Sequence, residues 1–287
     1  MEPEGRVAVL GYGTMGAGIA QVCAQAGYMV VVLETSEDRL ADGRQRLDAF
    51  LAEGVRRGKT SEETRAAVLE RVRGVTEPAE LAGCGWVIEA VVEDLGVKRA
   101  LLPEVADAVG EAAIIATNTS ALSVTELATA VPRPERFGGL HFFNPAPLMR
   151  LVEVVRALQT ADATVQALLD LAVRLGKEPV ETKDRPGFLV NRLLMPYLNQ
   201  VVQAYDDGIA SAQDVDTAVE LGLGYPMGAL TLLDLIGLDT HLYATEAAYR
   251  DTLDPKFAPP PLLRRMVAAG YLGRKSGRGF RVGSEGE

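Results

Sequence analysis

Short apolar runs alternate with amphipathic segments along the first 183 residues of the chain. The runs have the length of single buried strands and lie at 6–11, 29–34, 86–91, 113–118, 138–143, 151–156 and 179–183. Between them, apolar residues recur with helical spacing, as in 15–26, 36–57, 97–109 and 162–175. Alternation of strands and helices is typical of a mostly parallel sheet with helices on both faces. The first part of the chain is therefore predicted to be an α/β domain.

The pattern changes at KDRPGF (183–188), and the segments beyond it have helical spacing. Helices are predicted at 188–206, 211–221, 226–235, 239–250 and 262–269. Ser211, with Asp214 three residues further on, has the pattern of a helix N-cap followed by an acidic first turn. The sequence thus predicts an α/β domain over 1–184 and an all-α domain over 185–287.

Composition narrows the possible partners and compartments. The 287 residues carry a formal net charge of −10, which disfavours non-specific binding to nucleic acid. Cys23 and Cys84 form no C-x-x-C motif, as expected in a reducing cytosol. The start of the sequence does not resemble a signal peptide, and no apolar stretch reaches the roughly 18 residues that a membrane span needs. We expect a cytoplasmic protein that binds neither nucleic acid nor a membrane.

The first predicted strand runs into GYGTMG (11–16), a G-x-G-x-x-G motif that opens a helical segment. In this context Gly11 permits a tight turn, Gly13 lets a pyrophosphate approach the backbone, and Gly16 lets the helix pack on the sheet. The helix N-terminus offers free N–H groups to the phosphates. The turn therefore predicts a Rossmann-type nucleotide site with contacts from Gly11, Gly13, Thr14, Met15 and Gly16.

Glu34 ends the second predicted strand, close to the place where dinucleotide-binding domains carry an acidic residue. A carboxylate there accepts hydrogen bonds from the adenosine ribose and repels a 2′-phosphate. The alternative is an unrelated surface glutamate after a glycine turn, but strand, motif, helix, strand and acid occur in the expected order. The predicted cofactor is therefore NAD rather than NADP, and no metal site is predicted.

His141, one of two histidines in the chain, lies in an apolar run, and Glu153 lies in the next one. A carboxylate in an apolar strand is costly unless it has a partner, and a hairpin-like return would bring it to the imidazole. Such a pair can exchange the proton of an alcohol while hydride moves to NAD. The alternative is a core histidine that the backbone satisfies. His241 has no comparable partner nearby and is interpreted as structural or exposed.

Other polar residues occupy positions near the ends of strands or within an apolar helix face. Ser120 follows the strand at 113–118 and is equally well explained as a turn or N-cap serine. Asn191 lies within an apolar helix face, where it either satisfies a neighbour or faces a cleft. Glu93 and Lys98 follow the strand at 86–91, and each is better explained alone as a solvated loop charge.

The whole chain, in order, resembles the short-chain L-3-hydroxyacyl-CoA dehydrogenases, including bacterial 3-hydroxybutyryl-CoA dehydrogenases. The resemblance rests on GYGTMGAGIAQ, IEAVVED, NTSALS, GLHFFNPAPLMRLVEV, KDRPGFLVNRLL, LGYPMGALTLLDLIGLD and LGRKSGRGF. It implies that His141 is the catalytic base and Glu153 its orienting partner. It implies that Ser120 and Asn191 position the 3-hydroxyl and the thioester end of the substrate. It also implies cofactor contacts from Glu93, Lys98, Ser120, Asn144 and Lys275.

The contacts to coenzyme A are where the chain departs from its relatives. The relatives contact coenzyme A through a serine and a lysine on the helix after the second strand, where this chain has Phe50 and Arg57. Arg56, Arg57 and Lys59 remain able to meet phosphates, and Arg56 and Arg57 are the predicted substrate contacts. A solvated helix face with charges of both signs explains the segment 44–59 nearly as well.

The leading prediction is an NAD-dependent 3-hydroxyacyl-CoA dehydrogenase that acts on an acyl-CoA substrate. The alternatives are a dehydrogenase of small free hydroxy acids or sugar acids on the same fold, and a non-catalytic dinucleotide-binding protein. The segments 192–205 and 230–239 hold more apolar surface than one small bundle is expected to cover, and large exposed patches mark partners. With the resemblance, they predict a homodimer that pairs through the helical domain.

Overall fold

The computed structural model describes residues 5–283. The chain divides into two compact units, Met1–Arg185 and Pro186–Glu287. Within residues 5–283, none of the helices is both long enough and apolar enough to cross a membrane.

The first unit is built on one eight-stranded sheet with the order β3-β2-β1-β4-β5-β6-β7-β8. Its strands are β1 Arg6–Leu10, β2 Met29–Leu33, β3 Val72–Val75, β4 Cys84–Glu89, β5 Ile114–Thr117, β6 Phe137–Phe142, β7 Leu151–Arg156 and β8 Glu178–Lys183. Every neighbouring pair is parallel except β6 and β7, which run antiparallel. The crossover between β1 and β4 in this order is the switch point at which doubly wound sheets bind ligands.

Helices connect the strands of this sheet. They are α1 Thr14–Gln25, α2 Glu37–Arg56, α3 Glu62–Arg71, α4 Leu95–Val109, α5 Val124–Ala128 and α6 Asp162–Arg174. Four of them begin at a polar N-cap whose side chain accepts the backbone N–H three residues further on, namely Ser36, Ser61, Asp94 and Ser123. Such caps stabilise a helix start by about 1 kcal/mol, which explains where these helices begin.

Side chains of the strands alternate between two buried faces. Val7 and Val9 of β1 pack with Ile19 of α1, in a core that also contains Leu168 of α6. The alternate positions Ala8, Val31, Val87 and Ile115 are equally buried on the opposite face. Both faces of the sheet are therefore covered, and the predicted mostly parallel α/β fold is confirmed.

The strand β3 and the helix α3 were not predicted from the sequence. The strand VRGV has only its two valines buried, so it presents no apolar run. The helix EETRAAVLER buries Val68 alone and has no apolar face that would reveal it. The strand pairs with β2, and Val68 of the helix packs into the core of the first unit, so both elements depend on tertiary contacts that local periodicity does not encode.

The second unit is helical throughout the part that the structure describes, apart from one isolated bridge between Gly273 and Arg278. Its helices are α7 Val190–Asp206, α8 Ala212–Thr217, α9 Ala229–Ile236, α10 Leu238–Thr252 and α11 Pro261–Ala268, with a π-helical turn at Ala218–Gly222. Leu198, Val202, Leu230 and Leu233 lie in its core. Ser211 caps α8 by accepting the N–H of Asp214, as predicted.

His241 lies in the interior of the second unit. Its Nε2 is 3.0 Å from Oδ1 of Asn199, whose amide donates to the hydroxyl of Thr245. Burial lowers the pKa of His241 to about 4, so the ring is neutral at pH 7. His241 is therefore structural, and the alternative of an exposed ring is wrong.

Candidate active site

The glycine turn after β1 leaves no room for larger residues at two of its positions. Gly11 has φ +90°, and a Cβ there would lie 2.8 Å from the carbonyl oxygen of Ala90. A Cβ on Gly16 would lie 1.9 Å from the carbonyl oxygen of Gly11. These two glycines are required by the tight turn and by the close packing of α1 on the sheet.

Gly13 is different, because a Cβ there would meet no protein atom within 4 Å. No side chain caps α1, and its first helical bond runs from Ala17 N to Gly13 O. The N–H groups of Thr14, Met15 and Gly16 therefore precede the first helical bond and form the positive end of the helix dipole. The open position and the uncapped helix fit the pyrophosphate of NAD.

Glu34 follows β2 directly, and its carboxylate lies beside the glycine turn. Its Oε1 accepts the N–H of Tyr12 at 3.0 Å, and its Oε2 accepts the N–H of Thr35 at 2.8 Å. These two bonds hold a negative charge next to the turn. A ribose with free hydroxyls suits this charge, whereas a 2′-phosphate would be repelled.

His141 and Glu153 lie directly opposite each other in the antiparallel pair of β6 and β7. His141 Nδ1 is 2.7 Å from Glu153 Oε2, with 4% of His141 and 1% of Glu153 exposed. Their neighbours Leu140, Phe142 and Val152 belong to the core on the α1 face, so the two polar side chains share the opposite face. Because an ionised carboxylate only accepts hydrogen bonds, Nδ1 is the donor in this contact.

Ser120 lies at the other ring nitrogen of this histidine. Its Oγ is 3.1 Å from His141 Nε2, and the residue itself is exposed. The loop that carries it is tied to β6 because Asn118 Oδ1 accepts the N–H of Phe142 at 2.8 Å. The first unit thus brings together three of the four predicted catalytic residues. The fourth, Asn191, lies in the second unit near the start of α7 and is half-buried.

Lys98 is not the solvated loop charge that its sequence position alone favoured. It is 1% exposed, and its Nζ donates to Glu89 Oε1 at 2.6 Å and lies 3.3 Å from Glu93 Oε2. A lysine is buried in this way only when carboxylates compensate its charge, and the two partners here come from the end of β4 and the loop after it. The direct contact of Lys98 with the cofactor stays a prediction.

Glu93 is partly exposed and binds the loop that contains Ser120. Its Oε1 accepts Thr119 Oγ1 at 2.5 Å, Ser120 N at 2.9 Å and Ala121 N at 3.2 Å. Burial acts to raise the pKa of Glu93, but the Thr119 hydroxyl, the charge of Lys98 and the Ser120 N–H outweigh it and hold the pKa below its usual range. Glu93 is therefore a structural anchor of this loop as well as a predicted cofactor contact.

Asn144 follows β6 and lines a cavity of about 160 Å³ between its loop, α1 and α2. The loop packs closely on α1, because a Cβ on Gly18 would lie 3.1 Å from Pro147. Lys177 holds the same loop by donating to the carbonyl oxygens of Ala146 at 2.7 Å and Met149 at 2.9 Å. The loop between the two strands of the dyad is therefore fixed from both sides.

Three of the cations predicted to contact coenzyme A or the cofactor, Arg56, Arg57 and Lys275, pair with carboxylates at the surface. Arg56 and Arg57 both pair with Glu53 at the end of α2, and their side chains are 75% and 72% exposed. Lys275, in the second unit, pairs with Asp239. Burial acts to raise the pKa of Asp239, but the hydrogen bond from Lys275 is among the contacts that lower it below the usual range. Each cation has a carboxylate neighbour with which a ligand would compete.

Sequence reasoning missed Glu89, Asn118, Thr119 and Lys177. Asn118 and Thr119 belong to the same NTS motif as Ser120, so attention to the whole motif would have included them. Glu89 is a carboxylate in an apolar strand, the signal that identified Glu153. Lys177 carries no such signal, since it stands just before β8 in an ordinary helix-to-strand turn.

Within residues 5–283, no group of three or more His, Cys, Asp or Glu is arranged to hold a metal ion.

Comparison with known proteins identifies the family. A family model described as "3-hydroxyacyl-CoA dehydrogenase, NAD binding domain" matches residues 6–185, and one described as "3-hydroxyacyl-CoA dehydrogenase, C-terminal domain" matches residues 187–282. The "Probable 3-hydroxybutyryl-CoA dehydrogenase" of Deinococcus radiodurans is 44% identical over 95% of this chain and 98% of its own length. The structure of (S)-3-hydroxybutyryl-CoA dehydrogenase PaaH1 from Ralstonia eutropha is 44% identical, with a TM-score of 0.94 over 96% of this chain and 98% of that one. This chain belongs to the 3-hydroxyacyl-CoA dehydrogenase family, whose N-terminal domain binds NAD.

Proposed function

We propose that this chain interconverts (S)-3-hydroxyacyl-CoA and 3-oxoacyl-CoA with NAD, and that 3-hydroxybutyryl-CoA is its substrate. The observation that carries the proposal is the buried His141–Glu153 pair at 2.7 Å, with Ser120 at 3.1 Å on the other ring nitrogen. An imidazole whose Nδ1 donates to a carboxylate can act through Nε2 as a general base for an alcohol. The names of the relatives from Deinococcus radiodurans and Ralstonia eutropha support the short acyl chain.

The residues of this chain move and stabilise one proton. In the oxidative direction His141 Nε2 accepts the proton of the substrate 3-hydroxyl, and Glu153 stabilises the positive charge that develops on the ring. The Ser120 hydroxyl lies 3.1 Å from Nε2 and holds the substrate oxygen close to this nitrogen. Held at the glycine turn by the N–H groups that open α1, NAD+ would supply the acceptor for the hydride of carbon 3. In the reverse direction the imidazolium returns the proton to the oxygen.

The dry surroundings of the dyad contribute to this mechanism. With 4% and 1% of the two residues exposed, their interaction is only weakly screened by water. The antiparallel ladder of β6 and β7 fixes their separation without help from a mobile loop. The base is therefore already arranged when the protein has folded, and each turnover needs no further free energy to position it.

The coenzyme A moiety requires a different kind of contact. We propose that Arg56 and Arg57 meet its phosphates, exchanging their common partner Glu53 for the ligand. Arginines present planar donors that suit phosphate oxygens, and both are exposed at the end of α2. The resemblance assigns Asn191 to the thioester end and Lys275 to the cofactor, and both roles stay predictions.

We propose a homodimer formed through the helical unit. Its surface carries several large apolar side chains that are at least 60% exposed, namely Leu193, Ile209, Leu221, Leu223, Tyr243 and Leu253. Pairing of two copies through this unit would remove such side chains from water. Cys23 and Cys84 are both buried and free, which suits the proposed cytoplasmic location.

The substrate class is tested by following NADH absorbance with acetoacetyl-CoA, with longer 3-oxoacyl-CoAs and with free acetoacetate. We expect rapid oxidation of NADH with acetoacetyl-CoA and a far lower kcat/KM with free acetoacetate. A preference for the free acid would instead favour a dehydrogenase of small hydroxy acids. Binding of NADH without turnover of any of these compounds would favour a non-catalytic dinucleotide-binding protein.

A further inference from the structure

Glu89, the last residue of β4, carries a carboxylate with no exposed surface. Its Oε1 accepts Lys98 Nζ at 2.6 Å and the N–H of Val91 at 2.8 Å, and its Oε2 accepts Thr117 Oγ1 at 2.6 Å. A buried charge is tolerated only when it is paired and hydrogen-bonded, and both oxygens of Glu89 meet that condition. The proposed chemistry does not use this carboxylate directly.

A continuous series of polar contacts leads from Glu89 to the candidate base. Lys98 Nζ lies 3.3 Å from Glu93 Oε2, and Glu93 Oε1 accepts the N–H of Ser120 at 2.9 Å. The Ser120 hydroxyl then lies 3.1 Å from His141 Nε2. All of these residues lie in the first unit, and the contacts cross from β4 through the loop after β5 to β6.

We propose that Glu89 is a positioning residue for the reaction: by holding Lys98 it fixes the Glu93 carboxylate on the Ser120 loop, and so sets the geometry between the Ser120 hydroxyl and His141. This inference rests on the proposed function only for its kinetic consequence. Its geometric consequence, the environment of the His141 ring, is independent of the substrate.

The charges explain why Glu89 matters to the loop. Lys98 is 1% exposed and stands between two carboxylates, Glu89 at 2.6 Å and Glu93 at 3.3 Å. When the charge of Glu89 is removed, Glu93 is left as the only carboxylate close to this buried ammonium among the contacts described. The ammonium then draws Glu93 away from Thr119 and the Ser120 N–H, and the loop loses its anchor.

Histidine NMR tests the geometry directly, because the chain contains only two histidines. Protein labelled with ¹⁵N at histidine, free of any tag, gives two imidazole spin systems that His241→Gln assigns. We expect Glu89→Gln to displace the Nε2 signal of His141 and to leave that of His241 unchanged. Glu89→Asp keeps the charge but shortens the side chain by one methylene, so it should displace the same signal by less and in the same direction. This second variant keeps the test decisive if Glu89→Gln does not fold.

Kinetics test whether the effect passes through Ser120. Misplacing a reacting group by about 1 Å can cost up to roughly 100-fold, so we expect Glu89→Gln to lower kcat by about 10- to 100-fold. NADH affinity, measured by fluorescence titration, should change much less than kcat. In a Ser120→Ala background Glu89→Gln should have little further effect on kcat, because the contact that it positions is already absent.

Asp216→Asn is the matched control for loss of a buried carboxylate. Asp216 is 5% exposed and lies in the second unit, where its oxygens accept Leu230 N at 2.8 Å and Thr231 Oγ1 at 2.7 Å. This variant should lower Tm but leave the His141 signal in place. An unchanged His141 signal in folded Glu89→Gln, or losses that multiply in the double variant, would overturn the inference. Absence of turnover in the wild type would count against the proposed function alone, since the NMR result would still stand.

Discussion

Replacing Glu153 by glutamine isolates the electrostatic part of the proposed dyad. The glutamine oxygen can still accept the Nδ1–H of His141, so the tautomer and the ring orientation are kept. The negative charge 2.7 Å from Nδ1 is lost. Turnover should therefore fall because the imidazolium that forms during proton transfer is no longer stabilised.

The size of the loss in turnover follows from the distance between the two charges. For unit charges with centres about 4 Å apart, an effective dielectric of about 20 gives an attraction of about 4 kcal/mol. If about half of the charge has developed on the ring in the transition state, roughly 2 kcal/mol is lost, or about 30-fold in rate. Full development would cost about 1000-fold. We expect kcat of Glu153→Gln to lie between these limits, and His141→Asn to lose about 10²–10⁴ as a variant without its general base.

Steady-state oxidation of NADH with acetoacetyl-CoA measures these losses, and a fluorescence titration measures NADH binding in the same variants. Neither substitution touches the glycine turn, so NADH should still bind. The double variant should lose far less than the product of the single losses, because the two residues act as one unit. His241→Gln is the matched control, since His241 is equally buried, at 4% exposed, but lies in the second unit beside Asn199. Near-normal turnover by His141→Asn would refute the dyad, as would an inactive variant that fails only in folding or in binding NADH.

Three further predictions concern the cofactor, stability and assembly. Glu34→Arg should shift the preference toward NADPH, and a wild type that already prefers NADPH in kcat/KM would contradict the role of this carboxylate. The pKa of His241 is lowered from 6.5 to about 4, so its contribution to stability is complete above pH 6.5 and is lost as pH falls toward 4. Urea unfolding should show that the free energy of unfolding falls by about 3 kcal/mol between pH 6.5 and pH 4 in the wild type. The same decrease should be absent from His241→Gln. Light scattering at micromolar concentration should give about twice the chain mass of 30.6 kDa, and a monomer mass would contradict the dimer.

The fold was predictable wherever an element buries a whole face. The strands β1, β2, β4 and β5 are continuous apolar runs because helices cover both faces of a parallel sheet. The strand β3 stands at the edge, pairs only with β2 and exposes an arginine and a glycine. Its formation depends on a neighbour distant in sequence, which periodicity does not report. The same limit applies to α3, whose polar surface faces solvent.

The site was predictable where a residue type conflicts with its surroundings. His141 and Glu153 stand out because charged or titratable groups are costly in apolar strands. Lys98 gave the opposite impression, since a lone charge after a strand is usually a solvated loop charge, and the compensating carboxylate of Glu89 lies in the preceding strand. Lys177 could not be found from the sequence, because its partners are the backbone carbonyls of Ala146 and Met149, which have no residue signature.

The reversal of strand direction at β7 is what makes the dyad possible. In the parallel part of the sheet, polar groups gather where strands end, as Glu89 and Thr117 do at the ends of β4 and β5. The antiparallel turn from β6 to β7 instead places His141 and Glu153 opposite each other within the ladder. A slip of one residue in this pairing would turn one side chain to the other face of the sheet and separate the pair. Register is fixed by the apolar neighbours Leu140, Phe142, Val152 and Val154, which must remain in the core, so the packing of the core sets the geometry of the proposed proton transfer.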